Sequence, residues 1–162
     1  MATVTTLAKA AGGRGNPSKK PYMAEVTIDL AAAATAKGSA LAAADVIEAI
    51  SVGANTVVMF AGAEITTAPS GGNGCTFDLG ITGGDVDAFV DGMTVTGASA
   101  GDYGTLANTA CPILVTTADT IDMLLIGTTP DTAGKIRVYA CLMDVDSMGT
   151  QAADEVDRDL LA

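Results

Sequence analysis

Between residues 22 and 143 apolar side chains recur at every second position, in run after run. Gly, Pro, Asp and Asn fill the gaps between the runs. Successive side chains of a strand point to opposite faces, so this period builds half-buried strands rather than one face of a helix. In YMAEVTID, Tyr22, Ala24, Val26 and Ile28 share one face, and Glu25, Thr27 and Asp29 the other. CTFDLGI repeats the pattern with Cys75, Phe77, Leu79 and Ile81, and DTIDMLLIG with Ile121, Met123 and Leu125. KIRVYACLMDV puts Ile136, Val138, Ala140 and Leu142 inward and Lys135, Arg137 and Tyr139 outward. DVIEAI, MTVTG and PILVTT are shorter, and Pro112 suits a strand start or an edge. About eight or nine short strands separated by such turns predict an all-β fold, a β-sandwich or jelly-roll-like barrel.

Two segments depart from simple alternation. TVVMFAGAEITT carries one apolar row of Val57, Met59, Ala61, Ala63 and Ile65, and a second that begins with Val58 and Phe60. Two apolar faces on one strand predict a central sandwich strand or a subunit interface, with Val58 and Phe60 as the interface candidates. LAAAATAKGSALAAAD is rich in alanine, which favours helix, but Gly38-Ser39 interrupts it and no cap is evident. It reads as a loop with room for a helical turn.

The chain of 162 residues suits one domain with a sizeable core. Residues 1–21 read as a flexible arm, because GGRGNPSKKP collects glycine, proline and charge without a period. Residues 22–146 form the sandwich body. Residues 147–162 are a tail or short helix, with Val156, Leu160 and Leu161 at helical spacing. No run of eighteen apolar residues occurs, so no membrane span is expected, and no apolar stretch marks a secretory signal.

Charge is uneven. The arm carries Lys9, Arg14, Lys19 and Lys20 and no acid, whereas eleven acids and no base lie between Lys37 and Lys135. The net charge is −11. An acidic body repels nucleic acid, so no nucleic-acid partner is expected.

Chemistry is scarce. Histidine and tryptophan are absent, which removes the commonest acid/base group and the commonest transition-metal ligand. No nucleophile–base pair assembles and no phosphate-binding glycine loop appears, so no enzyme activity and no cofactor are expected. Cys75, Cys111 and Cys141 are widely spaced and read as small buried hydrophobes in a reducing cytoplasm. The acidic stretch GITGGDVDAFVDG is the one candidate cation site, through Asp85, Asp87 and Asp91. It matches neither an EF-hand nor a calcium β-roll repeat. The favoured reading is a wet turn: Gly83-Gly84 reverses the chain, Phe89 anchors it to the core, and Asp91-Gly92 turns it again.

The run ADVIEAISVGANTVVMFAGAEITTAPSGGNGCTFDLGITGGDVDAFVDG resembles small structural proteins of tailed bacteriophages, cyanophages among them. The shared marks are the ANTVV strand entry, the long strand ending EITTA, then TFDLG and the DVDAFVD turn. The resemblance spans roughly residues 44–97. It implies a virion protein made in the host cytoplasm, a capsid decoration (cement) protein on the outside of the head. It further implies a homotrimer whose partner is the major capsid protein. The basic arm, with Lys9, Arg14, Lys19 and Lys20, is the expected capsid contact. The alternatives are a head-fibre, tail or receptor-binding module, or a calcium-dependent carbohydrate-binding module.

Overall fold

The computed structural model describes residues 3–4, 9–10, 21–81, 83–104 and 111–145. Its strands are β1 (Thr3–Val4), β2 (Lys9–Ala10), β3 (Tyr22–Asp29), β4 (Val46–Val52) and β5 (Thr56–Ser70), with a helix α1 (Leu30–Lys37) after β3. β6 (Asn73–Ile81), β7 (Val90–Thr94), β8 (Ile113–Val115), β9 (Asp119–Thr129) and β10 (Ala133–Asp144) complete them. The expected C-terminal tail or helix, residues 147–162, lies outside the described residues.

The body is a sandwich of two antiparallel sheets. One has the order β4-β9-β6-β7, the other β3-β10-β5-β8. Most connections pass from one sheet to the other, so each strand presents its apolar face to the space between them. The body therefore holds eight strands, and its inner rows are those of the sequence pattern. Val26, Ile28, Ile136, Val138 and Leu142 of one sheet, and Phe77, Leu79, Ile121, Met123 and Leu125 of the other, are all buried. Within the second sheet Ala24, Ala140 and Ala61 lie side by side in register, a row of small residues on its inner face.

Two hairpin-like units, β5–β6 and β9–β10, cross between the sheets side by side. Their corner is closed by Asp131, which is 1 % exposed. Its carboxylate accepts from Thr96 Oγ1 at 2.7 Å and from the Gly72 amide at 3.2 Å. Thr96 Oγ1 in turn accepts from the Cys75 amide at 3.0 Å. A buried carboxylate is tolerated here because three segments satisfy one another's polar groups.

Two findings differ from the sequence reading. First, LAAAATAKGSALAAAD is not a loop at its start: Leu30–Lys37 is a two-turn helix. Its cap is Asp29, the last residue of β3, which accepts from the amides of Ala31 at 3.0 Å and Ala32 at 3.3 Å. Gly38, at φ 78, ends it and donates to the Ala34 and Thr35 carbonyls. The cap was hidden because the alternation assigns Asp29 to a strand face. Second, β5 does not carry two continuous apolar rows. Leu142 stands opposite Val58 and Cys141 opposite Phe60, so Met59 is an extra, bulged residue. The bulge shifts the side-chain parity, and the single inner row becomes Val58, Ala61, Ala63 and Ile65, each 0 % exposed.

Thr3–Val4 and Lys9–Ala10 run parallel to β4, against Val46–Ile47 and Ile50–Ser51. The arm has no strand period of its own, and the open edge of β4 supplies the pairing.

Candidate functional site: the outer face of the second sheet

The outer residues of β3, β10, β5 and β8 form rows that can be read directly from the strand register. Met23, Cys141 and Phe60 stand side by side, as do Met143, Val57 and Leu114. Met23 is 56 % exposed, Leu114 53 % and Phe60 40 %. Large apolar side chains scattered singly need no explanation, but these adjoin on one face. The next row is Glu25, Tyr139 and Gly62. Tyr139 lies across Gly62: a Cβ built there would stand 2.6 Å from the tyrosine hydroxyl, so only glycine admits the ring. Burial and the nearby Tyr103 push the Tyr139 phenol up. Beyond it Arg137 pairs with Glu64 and lies 3.8 Å from Glu25, and Lys135 lies 3.5 Å from Asp29. One end of the face is thus apolar, and the other carries alternating charge.

Of the two interface candidates, the structure separates Val58 from Phe60. Val58 packs inside the sandwich, whereas Phe60 remains accessible on this face. Met59, Met23 and Leu114 were not singled out by the sequence. Met59 escaped because a bulge has no signature in the alternation, and Met23 and Leu114 because single exposed hydrophobes carry no pattern until strand neighbours are known.

The acidic stretch folds back on β6. Ile81 N donates to Asp85 O and Phe89 N to Leu79 O, each at 2.9 Å. Gly80 makes the approach possible, since a Cβ there would lie 2.2 Å from Asp85 O. Phe89 is 1 % exposed and anchors the loop. The side chains of Asp85 and Asp87 meet: their hydrogen bond, then the charge of Asp85, holds the Asp87 carboxyl above its ordinary range, with Asp91 a minor contributor. Among the described residues no group of three His, Cys, Asp or Glu side chains is arranged to hold a metal ion. Asp78, buried beneath the loop's exit, accepts from the Gly92 amide at 2.8 Å.

An open cleft of about 580 Å³ lies between this loop and β8. Its walls are Ile81, Ile113, Leu114, Val115 and Ala118, and Asp85 and Asp119 line it too. It holds no base paired with a nucleophile. Of the thiols, Cys75 is buried, while Cys111 and Cys141 are partly exposed. Burial pushes the Cys75 and Cys111 thiols up, away from the reactive thiolate. Among the described residues no helix is long and apolar enough to cross a membrane. Lys9 lies on β2, whereas Arg14, Lys19 and Lys20 fall outside the described residues.

No protein-family model matches the chain, and no curated protein sequence does. Solved structures do. A chain of the capsid of Ralstonia phage GP4 aligns over 88 % of this chain and 98 % of its own length, at 16 % identity and TM-score 0.59. A chain of the cyanophage Pam1 capsid asymmetric unit aligns over 82 % and 91 %, at 13 % identity and TM-score 0.52. The likeness is one of fold. A third match comes from the acidic stable capsid of Helicobacter pylori bacteriophage KHP30, at 10 % identity and TM-score 0.50, over 76 % of this chain and 86 % of that one. All three come from phage capsids, and the first two span nearly the whole of the matched chains.

Proposed function

We propose that this chain is a structural virion protein of a tailed phage, a decoration (cement) protein bound to the outside of the head. The observation that carries the reading is the shared fold: the match to a Ralstonia phage capsid chain extends over 98 % of that chain. The chemistry agrees. A strand-rich sandwich supplies a stiff shape, and a net charge of −11 keeps a protein soluble at high local concentration. The role is non-enzymatic: the chain lacks histidine, and its two shifted thiols are pushed away from the nucleophilic form.

In this reading the major capsid protein is the partner, the protein acts as a homotrimer, and it is made in the host cytoplasm. The basic arm is the shell contact. Lys9, Arg14, Lys19 and Lys20 give it four positive charges with no acid, opposite in sign to the body, and suit an acidic patch on the capsid. A second reading, a head-fibre or receptor-binding module, is favoured by one observation: Tyr103 is 60 % exposed beside Tyr139.

The test is occupancy of undecorated heads by the full chain and by a chain lacking residues 2–20. The full chain should saturate the head surface, and the truncated one should bind at least about tenfold more weakly, more so at low salt, while still melting cooperatively at a temperature lowered by the loss of β1 and β2 from the edge of β4. Undiminished occupancy by the truncated chain would remove the arm from the contact. A full chain that binds no head would remove the decoration role and leave the second reading.

A further inference from the structure

β8 lies at one edge of the second sheet. It pairs with β5 through Ile113, Leu114 and Val115, and among the described residues no strand lies on its other side. That free side presents unpaired amides and carbonyls, and no charged side chain of the strand discourages pairing there. The cleft of about 580 Å³ follows it. All three β8 residues line the cleft, although Leu114 points to the opposite face of the sheet from Ile113 and Val115. The space therefore runs along the strand's edge rather than over one face.

The lining is apolar through Ile81, Val115 and Ala118, with the carboxylates of Asp85 and Asp119 among these side chains. Neither carboxylate is matched by a cation of the body. Between residues 21 and 145 the chain has three, and each is paired elsewhere: Lys37 with Asp45, Lys135 with Asp29, and Arg137 with Glu64 and Glu25. Asp119 accepts from the Thr120 amide at 2.8 Å, and Asp85 meets a second carboxyl, that of Asp87. An open strand edge, aliphatic walls and uncompensated negative charge thus occupy one place.

We infer that this edge receives an extended segment of the major capsid protein, one that alternates aliphatic and basic residues, as an added strand. The segment's backbone meets the unpaired groups of β8, its aliphatic side chains enter the cleft, and a Lys or Arg reaches Asp85 and Asp119. The identity of the partner rests on the decoration reading, whereas the chemistry of the segment rests on the cleft. This chain's own cations suit the cleft less well. Those of GGRGNPSKKP come with no branched aliphatic side chain, and Lys9 is held on β2 against β4.

The experiment has two arms, both on the full chain. Without a capsid, a short capped peptide of alternating valine and lysine is titrated beside one of alternating valine and glutamate. Wild type should bind the lysine peptide at least about tenfold more tightly, and the variant Asp85→Asn/Asp119→Asn should lose that preference while keeping its melting transition. The variant removes two of eleven net charges, so general attraction of a cation would largely survive it. On undecorated heads, benzoylphenylalanine in place of Leu114 should cross-link on illumination to a Lys- or Arg-bearing segment of the major capsid protein; this arm leaves both carboxylates in place. Equal binding of the two peptides by wild type, or a folded variant that keeps the preference, would overturn the inference. A cross-link to a second copy or to this chain's own arm, or occupied heads with no cross-link to the capsid protein, would overturn it and spare the decoration role. The peptide preference found as expected, with no head occupancy by wild type, would remove the decoration role and leave the edge as an acceptor of basic strands.

Discussion

Lys37 Nζ lies 2.5 Å from Asp45 Oδ2, and only 13 % of the lysine side chain and 3 % of the aspartate side chain meet solvent. The lysine, in the last turn of α1, also donates to the Ala40 carbonyl, and Asp45 accepts from the Ala42 amide. The pair clasps the turn that leads into β4. Removing one partner leaves the other charge buried, so Lys37→Met should cost about 3–5 kcal/mol in urea unfolding of the full chain. A loss within about 0.5 kcal/mol would mean that the pair is solvated in solution.

At the sandwich corner, Asp131→Ala strands two donors, the Gly72 amide and the Thr96 hydroxyl. The expected cost is about 2–3 kcal/mol. The two donors use different carboxylate oxygens. Asp131→Asn keeps one acceptor and should therefore lose about half as much. Equal losses for the two variants would show that charge, not hydrogen bonding, dominates the corner.

Tyr22 donates to Asp144 Oδ1 at 3.0 Å. Desolvation, then this hydrogen bond and the aspartate's charge, push its phenol up to about 12. The folded state thus holds the proton longer than the unfolded chain, whose tyrosines titrate near 10. The contribution to stability is full below pH ~10 and is lost as pH rises through about 12. In an ultraviolet titration one tyrosinate step should appear near pH 12 and vanish in Tyr22→Phe. A wild-type titration complete by pH ~11 would contradict the contact.

Glu48 stands opposite Asp122 on neighbouring strands. Desolvation first, then Asp122 and Asp119, hold its carboxyl above the ordinary range. Its contribution is favourable when protonated and is lost as pH rises through the raised value. Glu48→Gln should therefore stabilise the protein at pH 7, by no more than about 1 kcal/mol because Glu48 itself is partly solvated, with the gain shrinking toward pH 4. Destabilisation at pH 7 would contradict the like-charge arrangement.

The meeting of Asp85 with Asp87 is a carboxyl–carboxyl contact, to which the charge of Asp91 adds a smaller repulsion. Calcium at 1 mM, or EDTA, should shift the melting temperature by less than about 1 °C. A rise of several degrees with calcium alone would restore the cation reading of the loop and the carbohydrate-binding module that goes with it.

The alternation made most of this sandwich legible. Every inner residue expected on β6, β9 and β10 is buried, because a period of two survives any strand order. What the period could not carry was local exception. Asp29 reads as a strand residue and acts as a helix cap, and Met59 reads as part of a row and is the bulge that breaks it. The apolar outer face was half legible for the same reason. Phe60 stood out as part of a second row, but its neighbours Met23 and Cys141 come from segments 37 and 81 residues away in sequence. Only strand pairing brings them together. The charge asymmetry was fully legible, as was the outward placing of Lys135 and Arg137 on one strand, yet only the register shows that they share a face with Phe60 and Met23.

The most direct measurement of the central claim is cryo-electron microscopy of the virion at a resolution that traces side chains. The decoration role requires density for this sandwich on the outer surface of the head, with its N-terminal arm against the major capsid protein. The same sandwich found in the tail or at a fibre, or missing from the particle, would contradict it.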